Sequence, residues 1–113
     1  MKTLVVQKPW GKFEQFTLNL PSTIKIITVK AGEELSLQSH AKRSEFWRVI
    51  RGNGTVQIGD KKYSATPGEE YEILVGEKHR ISAESSEIEF LEISFGDFNE
   101  NDIVRYEDKY GRA

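Results

Sequence analysis

Residues 32–52, GEELSLQSHAKRSEFWRVIRG, decide how this chain is read. Gly32 and Gly52 bracket three potential metal ligands: Gln38 after five residues, His40 after one more, and Glu45 after a further four, with six before Gly52. In an extended chain alternate side chains share a face, so Gln38 and His40 project together like a pincer. Glu45 adds an anionic oxygen from the following strand. His79, the only other histidine, ends a second pattern in which Gly68, Leu74 and Gly76 precede it at intervals of five, one and two residues. Two imidazoles, a carboxylate and an amide oxygen suit a borderline divalent ion such as zinc, manganese, iron(II), cobalt or nickel, and leave positions open for substrate. Each residue alone has a plainer role, a hydrogen-bonded histidine or a solvated Gln or Glu. Together, at these spacings between glycines, Gln38, His40, Glu45 and His79 point to a metal.

Composition narrows the setting. At 113 residues the chain is long enough for one core and too short for two. A net charge of −2, with both signs dispersed, gives neither a basic footprint for nucleic acid nor a polybasic membrane patch. Cysteine is absent, which excludes disulfides and thiolate metal sites. The first residues, MKTLVVQKPWGKFEQF, carry only Leu4, Val5 and Val6 as an apolar run, too short for a secretory signal or a membrane span. The expected setting is a soluble cytoplasmic protein whose partners are small molecules or a second copy of itself.

Along the chain, QKPWGKF reads as a turn carrying Trp10 as a core plug, ahead of a short strand FEQFTL. IKIITVK is a β-branched strand with Lys25, Ile27 and Val29 on one face and Ile24, Ile26 and Thr28 on the other. A strand from Leu35 to His40 sets Leu35 and Leu37 opposite Ser36, Gln38 and His40; residues 41–44 turn. The next strand places Glu45, Trp47 and Val49 on one face and Phe46, Arg48 and Ile50 on the other, apolar on both sides as in a closed or sandwiched sheet. TVQI, the turn Gly59-Asp60 and KKYSA make a hairpin. EYEILV, HRISA and IEFLEISF follow as strands, the last with Ile88, Phe90, Glu92 and Ser94 facing one way.

Many short strands with turn signals every eight to twelve residues, and no long amphipathic helix, predict an all-β jelly-roll barrel. The expected division is a single domain over 1–113, with N-terminal strands and the PWG turn in 1–23, the barrel core in 24–95 and a C-terminal extension in 96–113. In that extension Ile103, Tyr106 and Tyr110 fit helical spacing, while IVRY fits an extended strand. Glu69, Glu70 and Glu72 read as edge protection.

The Gly32–Gly52 spacing resembles the first motif of the cupin superfamily with Gln38 in its first histidine slot. The Gly68–His79 spacing resembles the second with Leu74 for its usual proline. KPWGKFE, LSLQSHAKRSEFW and DIVRYEDKYGR together look like the cupin module of type II mannose-6-phosphate isomerases, which in many proteins follows a sugar-nucleotide transferase domain. The resemblance covers nearly the whole chain and implies the cupin double-stranded β-helix. It also implies one divalent ion, zinc first, on Gln38, His40, Glu45 and His79. Arg43 and Trp47 match the family's RxExW pattern, Lys25 a basic position in the first core strand, and Arg112 the closing arginine. Lys42 stands where the family usually has histidine, and Ser94 where it tends to have glutamine.

The implied activity is conversion of mannose 6-phosphate to fructose 6-phosphate, without guanylyl transfer. Such an isomerase needs an ion to stabilise developing negative charge and an acid/base within reach of the migrating proton. Glu92, on an inward-facing strand side where burial raises a carboxyl, is the first choice of base; Lys42 and Arg112 complete the catalytic candidates. Arg43, Lys25 and Arg80, with Arg112, are candidates for phosphate, and Trp47 for the sugar ring. A noncatalytic sugar-binding or regulatory cupin is the alternative from another class. Another metal-dependent cupin enzyme such as a dioxygenase is a further one, although the amide of Gln38 argues against it. The apolar Leu4–Val6 run suggests pairing into a homodimer.

Overall fold

A computed structural model describes every residue, 1–113, and builds the chain entirely from strands. In chain order they are β1 (Leu4–Lys8), β2 (Gly11–Gln15), β3 (Ser22–Val29), β4 (Leu37–Ser39), β5 (Arg43–Arg51), β6 (Gly54–Ile58), β7 (Lys61–Ala65), β8 (Glu70–Ile73), β9 (His79–Ala83), β10 (Ile88–Gly96) and β11 (Val104–Glu107). β1 and β2 form a separate hairpin; the rest form two antiparallel sheets, β3-β10-β5-β8 and β11-β4-β9-β6-β7. The jelly-roll core lies between them, centred on Trp47, Val56, Ile73, Ile81, Ile88 and Phe90, all essentially without exposure.

The alternation of the long strands is realised as their sequences predict. Glu45, Trp47 and Val49 of β5 and Ile88, Phe90, Glu92 and Ser94 of β10 all point inward and are buried. Ile24 and Ile26 of β3 face solvent while Val29 is buried. Phe46 points outward yet is buried, because Phe16 covers it at a ring separation of 6.0 Å. Arg48 lies over Phe16 and pairs with Glu14 of β2 and Glu70 of β8, tying the N-terminal hairpin to the outer face of β5. β8, which carries Glu70 and Glu72, is an edge strand, in keeping with acidic residues as edge protection.

Two expectations are corrected and one open alternative is resolved. Trp10 is not a core plug: it sits in the β1–β2 turn, 73% exposed, because the hairpin carries it away from the barrel. The strand expected from Leu35 to His40 is regular only over Leu37–Ser39; before it, Glu34 bridges to Ser82 and Leu35 donates its N–H to the Ile81 carbonyl. The break in regularity turns Leu35 into the cleft beside Gln38 and His40 instead of opposite them. In the C-terminal segment the extended alternative holds: Val104–Glu107 adds to the edge of β4 as β11. Gly52 closes the first motif for a steric reason. Its φ is +86°, and a Cβ there would collide with the Glu87 carbonyl oxygen.

Candidate metal centre and cleft

Residues opposite one another on antiparallel strands share a face, so the registers set side chains into inward-facing rows. In the first sheet, Lys25 of β3 is opposite Glu92 of β10, which is opposite Trp47 of β5. Two residues along, Ser94 is opposite Glu45. In the second sheet, Arg105 of β11 is opposite Gln38 of β4, which is opposite His79 of β9. Between these rows lies a cleft of about 160 Å³, lined also by Glu100, Ile103 and Arg43.

Within it, Glu45 lies between the two histidines. Its Oε2 is 3.4 Å from His40 Nε2 and its Oε1 is 3.4 Å from His79 Nε2. All three side chains are buried, and their donor atoms lie within 4.8 Å of one another. Each imidazole is oriented by its far nitrogen. His40 Nδ1 donates to the Asp102 carbonyl at 2.7 Å, and His79 Nδ1 to the Glu77 carbonyl at 2.8 Å. With the proton on Nδ1, each Nε2 presents a lone pair to the centre. His79 Nε2 makes no hydrogen bond although it is fully buried. A buried lone pair facing a carboxylate lacks a cation between them. Ligand edges around an ion at about 2.1 Å run roughly 3.0–3.4 Å, and the two Glu45–histidine separations of 3.4 Å fall in that range. His40, Glu45 and His79 therefore form a cluster that could hold a divalent ion, with the Gln38 amide in the same cleft.

Two neighbours hold the carboxylate of Glu45. Trp47 donates its indole N–H to Oε1 at 3.1 Å, and Arg43 donates Nε–H to Oε2 at 3.2 Å. Arg43 also donates to the Asn99 carbonyl, reaches His40 Nε2 at 3.3 Å, and stacks on Phe98. Burial works to raise the Glu45 carboxyl, but the two histidines, in their protonated form, and Arg43 outweigh it and hold it well below the usual carboxylate range. Burial pushes His40 down. Glu92, 6% exposed, is pushed up to about 7, first by burial and then by the Glu45 charge. Its one hydrogen-bond contact is long, from Ser94 Oγ at 3.5 Å.

The structure lines this cleft with Gln38, His40, Glu45, Lys25, Arg43, Trp47 and Glu92, and His79 joins it through the buried cluster with His40 and Glu45. Trp47 lies at its floor, 1% exposed, where it serves Glu45; it offers no open face to a sugar. Lys42, Arg80 and Arg112 are elsewhere. Lys42 lies in the bend between β4 and β5 and is exposed, its backbone N–H held by Asp102. Arg80 points to the outer side, bound to Glu107 and the Leu35 carbonyl. Arg112 is half exposed, paired with Asp108. Both arginines pair with carboxylates outside the cleft. The residues not foreseen come from the C-terminal segment: Asp102, which orients His40, and Glu100, Ile103 and Arg105, which line the cleft. Alternation in IVRY, with Ile103 and Arg105 on one face, was the available signal.

Residues 2–108 match the family model described as Mannose-6-phosphate isomerase C-terminal. The chain belongs to that family. The xanthan biosynthesis protein XanB of Xanthomonas campestris pv. campestris is 38% identical over 110 residues, covering 96% of this chain but 24% of XanB. A mannose-1-phosphate guanylyltransferase of Salmonella montevideo is 37% identical over 109 residues, covering 95% of this chain and 23% of that protein. The chain thus spans about a quarter of the length of the curated relatives it matches. A cupin protein from Bacteroides fragilis superposes with a TM-score of 0.62 at 28% identity, over 66% of this chain and 65% of that one. This member of the mannose-6-phosphate isomerase C-terminal family therefore has the cupin fold, and it contains no helix able to cross a membrane.

Proposed function

We propose that this cupin domain is a metal-dependent isomerase interconverting mannose 6-phosphate and fructose 6-phosphate. The observation that carries the reading is one cleft holding two unlike functions. It has a donor set, His40, Glu45 and His79, with lone pairs turned inward, and a separate buried carboxyl, Glu92, pushed up to about 7. A bound divalent ion, zinc first, would act as a Lewis acid stabilising the negative charge that develops on the substrate oxygens. Trp47 and Arg43 keep Glu45 aimed at that position, and the carbonyls of Asp102 and Glu77 keep the imidazoles turned. Glu92 as carboxylate takes the proton from C2 of the aldose and, as acid, returns it to C1, while the hydroxyl proton passes from O2 to O1. A carboxyl poised near neutrality is suited to both halves of that exchange. Lys25, opposite Glu92 on the neighbouring strand, is the cation next to it. The reading assigns these residues isomerisation alone, without guanylyl transfer, in a cytoplasmic homodimer.

The test is conversion of mannose 6-phosphate to fructose 6-phosphate by the purified protein, with Glu92→Gln alongside. Turnover is expected in the wild type and a loss of roughly 100-fold or more in the variant. Turnover of Glu92→Gln at the wild-type rate would remove Glu92 from the chemistry, and a wild type inert on every hexose phosphate would remove the isomerase reading.

A further inference from the structure

Five of the six arginines have a carboxylate within 4.0 Å: Arg43, Arg48, Arg51, Arg80 and Arg112. Arg105 has none. Its side chain makes no hydrogen bond, and its Nε is fully buried and unpartnered. A buried guanidinium nitrogen without an acceptor is destabilising unless a ligand supplies one. Arg105 lines the cleft that contains the metal-ligand cluster. The other two cations there are committed, Lys25 to Glu100 at 2.8 Å and Arg43 to Glu45 and the Asn99 carbonyl. Arg105 is the one cation of the cleft without a partner.

Its place in the row matters as much as its charge. Arg105, Gln38 and His79 are opposite one another on three adjacent strands, so their side chains point the same way. Two strand spacings, roughly 10 Å, separate Arg105 from His79 along that row. That span is comparable with an open-chain hexose phosphate, whose reacting C1–C2 end and phosphate lie at opposite ends. A planar guanidinium meets a phosphate with two parallel hydrogen bonds. We propose that Arg105 is the phosphate-binding residue of this cleft and the reason the site takes phosphorylated sugars in preference to free ones. The assignment rests on the isomerase reading for its sugar and on the unpartnered guanidinium for its anion.

Metal-loaded wild type, Arg105→Gln and Arg105→Lys would be titrated calorimetrically with mannose 6-phosphate, inorganic phosphate and free mannose. Arg105→Gln is expected to weaken mannose 6-phosphate and phosphate binding roughly 10- to 100-fold at unchanged metal content and unchanged affinity for mannose. Arg105→Lys should recover part of the loss, and in turnover the change should fall on KM rather than kcat. Equal affinity of wild type and Arg105→Gln for mannose 6-phosphate would overturn the assignment. Arg105-dependent phosphate binding without turnover would leave Arg105 in place and remove the isomerase reading. Turnover with an unchanged KM in Arg105→Gln would do the reverse. Should the variants fail to fold, phenylglyoxal labelling of the wild type decides: modification of Arg105 slowed by inorganic phosphate supports the assignment, and modification indifferent to phosphate overturns it.

Discussion

Glu45 is held by an indole N–H and a guanidinium, so at the residue scale the candidate centre is fixed by Trp47 and Arg43. Trp47→Phe keeps the ring in the core and removes only the N–H. Metal affinity, read by competition with a chromophoric chelator, should fall roughly 10- to 100-fold; an unchanged affinity would show that Glu45 is held without it. Glu92 gives a pH signature in the metal-free protein. Its folded pKa is raised from 4.5 to about 7, so its contribution to stability is fully present below about 4.5 and is lost as pH rises through about 7. Relative to Glu92→Gln, the wild type should therefore lose stability across that window in urea titrations; a constant difference would contradict the shift. Glu45 acts in the opposite sense and in a lower window, because its folded pKa is depressed and its contribution is lost as pH falls. The candidate ligands were legible as spacing, since alternation along an extended chain puts Gln38 and His40 on one face whatever the strand pairs with. Arg105 was not, because its distinction is the absence of a partner, which only three-dimensional packing reveals. Arg112 lies outside the cleft, paired with Asp108 four residues before it, a local contact that its spacing alone does not announce.

At the scale of elements, the segment leading into β11 does more for the centre than its composition suggests. Asp102 accepts the backbone N–H groups of Ala41 and Lys42 through its carboxylate while its carbonyl fixes His40. Asp102→Ala should loosen the 40–42 turn and lower metal affinity roughly tenfold while β4 and β9 remain paired. Wild-type affinity in that variant would mean His40 is oriented by the barrel alone. The extended form of 104–107 is conferred by β4, a partner remote in sequence, which is why short-range periodicity left helix and strand both open. β3, β5 and β10 were legible because their alternation is long enough to fix a face. Gly52→Ala, at φ +86° and against the Glu87 carbonyl, should destabilise the fold by about 2 kcal/mol in denaturant unfolding.

Across the whole molecule, two sheets enclose a core whose lower part is apolar and whose mouth is the donor-lined cleft. The N-terminal hairpin stands outside both sheets, contributing to the 51 × 33 × 21 Å extents, with Leu4 and Val5 exposed on β1. Arg48 and Phe16 hold the hairpin to β5 through β2, but the outer edge of β1 is left unpaired, so we expect β1 to pair with a second copy. Sedimentation equilibrium should give a dimer that Val5→Lys weakens; a wild-type monomer at micromolar concentration would contradict this. The barrel was legible from the rhythm of strands and turns, but the hairpin's departure from it was not, since Trp10 looks like core to any rule based on hydrophobicity.

Everything proposed for the cleft turns on whether the His40–Glu45–His79 cluster holds an ion on which isomerisation depends. The decisive experiment is turnover of mannose 6-phosphate by chelated protein to which zinc, manganese, cobalt or nickel is restored singly, with bound metal counted. No turnover is expected after chelation, with recovery at one ion per chain that is lost in His79→Ala. Full turnover by the metal-free protein, or stoichiometric metal in His79→Ala with activity intact, would contradict the assignment.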